Sequence, residues 1–478
     1  MWQTLSLMAP QLVLAALATT LLLAGISREK NKAPMIRLVT IGILIVYALI
    51  GFVLGRPQGE SFNGLLRVDD FTHYLNAVLG LSAAAALLLN KSYFEKEGLD
   101  RFEFSVLTLY CVLGMSIMAA SNNLLSMYIG IEMQSLALYV MAAFNRDSLR
   151  ASEAGLKYFV LGAISSGLLL YGASMVYGFT GSLDYDLIAA SIKSTGATTG
   201  VVAGMAFLLC GLGFKISAAP FHMWTPDVYE GSPTPVTGFF AAAPKLAAMA
   251  VIAVLLIGPF GYITGQWQQV IIVMAVLSMF VGAIGALVQT NIKRLMAYSS
   301  IANMGYALVP LAAGTLAGVK GMLIFMTIYV ITVIGVFAAI LQMRIRNGMV
   351  EQISDLAGLS KTNRSLAIII TILMFSLMGI PPLLGFFGKV FAFLPAFEAG
   401  LVPLAILALV ASVISAFYYL RVIKTMWFDE SDIEFVEAPA SLKALVVIAT
   451  IIILPLMLLP FTAIPAQSVI GQAAAALF

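Results

Sequence analysis

The sequence predicts an all-α polytopic membrane protein of about fourteen transmembrane helices, with two inverted five-helix repeats and broken helices seven and twelve. Three observations predict it. The chain of 478 residues is 61% hydrophobic and only 10% charged, with a mean hydropathy of +0.99. A soluble chain carries roughly 25% charged residues. Apolar runs of about 20 residues, enough for a roughly 30 Å hydrocarbon core, recur along its whole length. Ionisable residues also lie inside several of these runs, beside Gly and Pro, where charge is expensive.

In chain order the runs fall near 4–26, 36–55, 71–89, 103–120, 123–143, 154–178, 200–224, 236–258, 268–289, 295–314, 320–342, 366–393, 401–427 and 442–461. The first lacks a basic leader and a cleavage site, so it reads as a retained helix. Only residues 121–123 separate the fourth run from the fifth. A tight turn is predicted there, because one helix of about 40 residues would be roughly 60 Å long.

Lys and Arg in the loops set the orientation. One set of alternate loops holds Arg28, Lys30, Lys32, Arg37, Lys91, Lys96, Arg101, Arg146, Arg150, Lys293, Arg294, Arg344, Arg346, Lys361, Arg364, Arg421, Lys424 and Lys443. The other holds Arg56, Arg67, Lys193 and Lys320. The first set is predicted to be cytoplasmic, which puts both termini outside.

The four remaining basic residues, Lys157, Lys215, Lys245 and Lys389, lie inside spans. Glu132 is the one carboxylate deep in a span, whereas Glu103 and Glu153 sit near span ends. A mid-span charge costs roughly 2.5–3.5 kcal/mol on insertion scales, so these residues are candidates for ion transfer.

Spans four to eight and nine to thirteen form two blocks of five. An odd number makes the second block enter from the opposite side, the arithmetic of an inverted repeat. The fourth helix of each block carries a lysine beside Gly and Pro: Lys215 with Pro220, and Lys389 with Pro381 and Pro382. The expected division is 1–101, 102–258, 259–428 and 429–478.

Lys215 lies just before a proline that disturbs the helix, too deep for simple snorkelling to the interface. Glu132 has no charge at i±3 or i±4, so it needs a partner from another helix. A lysine of span six or seven is the natural one, as an adjustable pair or a static lock. Lys245 follows Pro244, and Lys389 follows the double proline; both read as further stations on a polar path. Lys157 is either a station or a snorkelling interface lysine. His222 is either a proton relay near neutral pH or a packed hydrogen-bonding residue. Ser217, Thr225, Thr237 and Ser299 hold water or join helices.

A net charge of +3 does not suggest nucleic acid. No phosphate loop, dinucleotide fingerprint or haem motif is present, and Cys111 and Cys210 form no metal-spacing pattern. Energy for ion movement is expected from a gradient or a partner.

Three stretches carry a family resemblance: GFKISAAPFHMWTPDVYEGSPTP at 213–235, QTNIKRLMAYSSIANMGY at 289–306 and GIPPLLGFFGK at 379–389. They resemble the antiporter-like membrane subunits of respiratory complex I over essentially the whole chain. The wording around Trp224 looks like the N type rather than the L or M type. The chain ends at Phe478 without the long lateral helix of the L type, which fits that expectation.

The resemblance implies a proton-translocating membrane-arm subunit in a bacterial inner membrane. Its key positions fall on Glu132, Lys157, Lys215, Lys245 and Lys389. It implies no cofactor in this chain, with NADH, FMN, iron–sulfur clusters and quinone handled elsewhere in the complex. The implied partners are the antiporter-like M subunit, the small K and J subunits and the lipid bilayer. A subunit of a multisubunit sodium/proton antiporter is the alternative of shared ancestry, and a structural spacer is a third reading.

Overall fold

A computed structural model describes residues 6–26, 32–53, 57–346, 348–431, 433, 435–454 and 465–478. Arg28, Lys30 and Arg56 of the orientation count lie outside the described residues, as do the outer ends of the first, second and last predicted spans.

Spans one to three are α1 (Ala9–Ile26), α2 (Ala33–Val53) and α3 (Asp70–Glu97). A hairpin that the sequence did not announce, β1 (Gly59–Ser61) with β2 (Leu66–Val68), precedes α3. Asp69 then starts α3 with a capping box: its carboxylate accepts from Thr72 N at 2.8 Å, and Asp69 N donates to Thr72 Oγ1 at 2.8 Å.

Spans four and five are α4 (Phe102–Ala119) and α5 (Leu124–Ala142), joined by the expected tight turn. Asn123 caps α5 by accepting from Leu125 N. These helices touch through backbone. A Cβ on Gly114 would lie 2.6 Å from Gln134 N, and one on Gly130 2.6 Å from Met118 N. The second block repeats this approach in α12 (Thr264–Leu287) and α13 (Ile292–Leu311), where Gly282 faces the Ala302 backbone and Gly305 faces Met279.

Span six is α6 (Leu149–Thr180), followed by a short surface helix, α7 (Tyr185–Thr195), absent from the sequence prediction. Span seven is two half-helices, α8 (Thr199–Ile216) and α9 (Trp224–Gly231). Span eight is also interrupted, into α10 (Thr234–Phe240) and α11 (Ala243–Ile257). Pro244 lies in the first turn of α11, where its missing N–H costs nothing.

Then come α14 (Leu316–Ile340), the small strands β3 (Arg344–Ile345) and β4 (Gly348–Met349), and a one-turn α15 (Leu359–Thr362). Span twelve is broken as expected, into α16 (Arg364–Met378) and α17 (Leu384–Glu398). Span thirteen is α18 (Val402–Phe428). Span fourteen begins as α19 (Ala440–Ile453), and α20 (Pro465–Ala475) is the last described helix.

The centre of the bundle is α11, α13 and α14. In α13 every residue except Arg294 and Tyr298 is buried, although this span carries Lys293, Ser299, Ser300 and Asn303.

Loop charges sort onto two faces. On the basic face Arg37 pairs with Glu95 and Asp100, Arg344 with Glu97, Lys361 with Glu430 and Lys443 with Glu437. The opposite face holds Arg67, paired with Glu60 and Asp186. Met8 packs on Leu66 and Val68 there, and Leu477 lines a cleft with Arg67 and Asp69, so both ends of the described chain share that face.

Candidate functional site

The break in span seven is explained by its proline. An α-helix bonds each N–H to the carbonyl four residues back. Pro220 has no N–H, so the Ile216 carbonyl has no helical partner. The helix ends at Ile216, and Ser217 turns left-handed at φ 64°. The Ile216 oxygen accepts instead from Lys245 Nζ at 3.2 Å, and the same ammonium donates to Ser217 Oγ at 2.8 Å. Lys245 is 0% exposed. Its ammonium thus sits at the negative end of α8, which favours a cation there.

Span twelve repeats the device with different chain order. Pro382 leaves the Met378 carbonyl without a donor, and Gly379 turns left-handed at φ 87°. Lys389 Nζ donates to Met378 O at 2.8 Å and to Ser412 Oγ at 2.7 Å. By contacts, the counterpart of Lys389 is therefore Lys245 rather than Lys215, as the span-by-span repeat had suggested. The lysine comes from the next span in one repeat and from the second half of the same span in the other.

Lys215 points the other way. Its ammonium donates to Ser135 Oγ at 2.8 Å, Tyr139 OH at 3.3 Å and Ser166 Oγ at 3.5 Å. Ser166 in turn donates to a carboxylate oxygen of Glu132. The partner foreseen for Glu132 on another helix is thus the span-seven lysine, reached through a span-six hydroxyl. Glu132 and Lys215 are bridged, with no direct ion pair.

Two predicted residues stand apart. Lys157 has 41% of its side chain exposed and pairs with Asp227 at 2.7 Å and Glu153 at 2.8 Å on the basic face. Its ammonium is thus held by surface carboxylates, apart from the buried lysines. His222 lies on the crossing segment beside exposed Pro220 and Met223, and its Nδ1 is buried without a hydrogen-bond partner.

Between Lys245 and Lys389 runs a polar row of which the sequence reading picked out only Ser299. Ser299, Asn303 and Tyr306 fall at i, i+4 and i+7, one face of α13. Ser412, Ser415 and Tyr419 form a matching stripe on α18. Ser299 and Tyr419 share a hydrogen bond of 2.6 Å, and Tyr306 and Ser415 one of 3.1 Å. Tyr329 OH donates to Ser300 Oγ at 2.9 Å. The Tyr306 ring lies 4.8 Å from Lys389 Nζ, and the Tyr229 ring 5.6 Å from Lys245 Nζ. The signal was present as a polar period of 3.6 inside a buried span.

A bundle with broken helices, buried lysines at the breaks and a hydroxyl row between them defines an antiporter-like membrane subunit. The transmembrane family described as NADH:quinone oxidoreductase/Mrp antiporter matches residues 121–415. The chain is 54% identical to NADH-quinone oxidoreductase subunit N of Maricaulis maris, over 93% of each chain. It is 51% identical to subunit N of Parvibaculum lavamentivorans, over 92% of this chain and 91% of the relative. The fold matches a chain of respiratory complex I from Thermus thermophilus with a TM-score of 0.82 and 33% identity, covering 96% of this chain and 99% of that one. It also matches a chain of the Mrp complex of a Dietzia species with a TM-score of 0.83, over 99% of this chain and 97% of that one. Identity there is 20%, so that likeness is one of fold. The chain belongs to the NADH:quinone oxidoreductase/Mrp antiporter family, in its NADH-quinone oxidoreductase subunit N branch.

Proposed function

We propose that this chain translocates protons through its buried Glu/Lys relay as a membrane-arm subunit of NADH-quinone oxidoreductase. The supporting observation is that Glu132 and Lys215, from spans five and seven, meet on one hydroxyl, that of Ser166 in span six. A carboxylate bridged in this way supports the charge on Lys215 without locking it. A change at Glu132 therefore alters the ammonium across the bridge.

Lys215 and Lys245 flank the same half-helix end, so their charges repel. A proton leaving Lys245 passes to the Ser/Tyr row between α13 and α18 and on to Lys389, where an amine becomes an ammonium. Lys157 and His222 stand at the margins of this relay, one at the basic surface and one at the lateral opening of the break.

On this reading the chain is part of a translocase and carries no redox centre. NADH, FMN, iron–sulfur clusters and quinone belong to partner subunits, and the M, K and J subunits are its membrane-arm neighbours. It lies in a bacterial inner membrane with its termini on the periplasmic side, divided at about 101, 258 and 428.

The test is Lys215→Ala in the assembled complex. NADH-driven pumping is expected to fall with assembly retained; normal pumping and quinone reduction would sink the relay. Co-purification with flavin and iron–sulfur subunits is expected, and a complex without redox proteins would favour the sodium/proton antiporter instead.

A further inference from the structure

Below Lys245, on the side of the basic face, lies a run of buried hydroxyls that the relay does not use. Thr225, Tyr229 and Ser232 fall at i, i+4 and i+7 of α9 and its cap, on one helical face. All are buried, and Thr225 Oγ1, Tyr229 OH and Ser232 Oγ have no hydrogen-bond partner among the described residues; neither has the adjacent Thr234 Oγ1. Buried polar atoms are nearly always satisfied, by protein or by ordered water. Four unpartnered hydroxyls within ten residues therefore mark a place built to hold water.

The facing wall is α13. Tyr229 OH faces Ser300 and the Tyr329 that bonds it. Seven residues before Ser300, roughly 10 Å down the helix, Lys293 Nζ donates to Ser232 O at 2.9 Å and to Glu351 Oε1 at 2.9 Å. Lys293 is 3% exposed, whereas the Glu351 side chain is 18% exposed and also faces Asn291 and Arg150. A partly exposed carboxylate thus stands where a polar seam between the two repeats reaches the basic face.

We infer that Glu351 and Lys293 form a proton-uptake site, and that the seam of Ser232, Tyr229, Ser300 and Tyr329 carries protons from it to Lys245. This rests on the relay proposed above and adds its source. It makes Lys245 the first lysine to be loaded, with Lys215 acting on it through charge. The balance is simple. Glu351 takes a proton from water at the basic face and passes it inward. Each hydroxyl gives one proton on and receives one, so no charge remains on the seam. Neutral Lys245 becomes an ammonium on the Ile216 carbonyl.

The test uses the whole complex reconstituted in liposomes, carrying Tyr229→Phe, Glu351→Gln, Glu351→Asp or Lys215→Ala. Pumping is measured per assembled complex in H2O and D2O. Tyr229→Phe keeps the ring beside Lys245 and removes only the hydroxyl. We expect it and Glu351→Gln to slow pumping at least twofold and to raise the solvent isotope effect, with Glu351→Asp keeping more than half the rate.

Wild-type rates in Tyr229→Phe and Glu351→Gln, with Lys215→Ala slowed, overturn this route and leave the relay standing. Wild-type rates in all of these variants overturn both. Slowing with an unchanged isotope effect, or loss of assembly in Tyr229→Phe, assigns the hydroxyls to helix packing and also overturns the route.

Discussion

Lys245 Nζ lies 3.2 Å from the carbonyl oxygen of Ile216, the oxygen that Pro220 leaves without a helical donor. Lys389 Nζ stands in the same relation to Met378 and Pro382. In hydrocarbon an unpaired carbonyl costs several kcal/mol. The two lysines therefore serve the fold, since each ammonium completes the end of a half-helix.

Removing either ammonium should destabilise the protein. Lys245→Met and Lys389→Met each leave a carbonyl and a serine hydroxyl unpaired, at a cost of about 1–3 kcal/mol. The thermal midpoint of the detergent-purified complex is expected to fall for both. An unchanged midpoint would show that water replaces the ammonium without penalty.

Gly130 permits α5 to meet α4, two residues before Glu132. Gly130→Val puts side-chain atoms where a Cβ alone would lie 2.6 Å from Met118 N. Overpacking of this kind costs about 1–3 kcal/mol, and here it also displaces Glu132. Assembly should fall, and the surviving complex should pump more slowly. Gly167, whose Cβ would meet nothing within 4 Å, is the control: Gly167→Ala should behave as wild type.

Ser166 is the joint between Glu132 and Lys215. Ser166→Ala removes one hydroxyl and little volume. A hydrogen bond to a charged group is worth about 1.5–3 kcal/mol, so coupling through it should weaken roughly tenfold or more. Pumping rates of the assembled variant check this. A wild-type rate would mean that Glu132 acts on Lys215 through space alone.

Glu351 makes the basic-face tie sensitive to acid. Burial alone would raise its carboxyl, but Lys293, Asn291 and Arg150 outweigh burial and hold it below the ordinary value of 4.5. A carboxylate lowered in the folded state contributes stability that is complete above its ordinary value and lost as pH falls through its folded value. Ile292 N donates to Glu351 O, and Ile353 N donates to Thr290 O. Hydrogen-exchange protection at Ile292 and Ile353, taken relative to the intrinsic rate at each pH, should hold down to about pH 4.5 and fall below it. In Glu351→Gln that acid step should vanish; its persistence would refute the assignment to Glu351.

By itself the sequence determined the class, most of the spans and the residues to watch. Apolar run length answers to bilayer thickness, and a charge inside such a run is costly, so Glu132, Lys215, Lys245 and Lys389 stand out in the sequence alone. Pro220, Pro381 and Pro382 also marked where spans seven and twelve would break. What only the tertiary structure decided is which group answers each break. Lys245 reaches Ile216 from another span, Ser166 stands between Glu132 and Lys215, and Lys157 ends at the surface beside Asp227. Those pairings depend on how the helices are set against one another, which the packing of glycines such as Gly114 and Gly130 fixes. Hydropathy along one chain carries no term for contacts between distant spans.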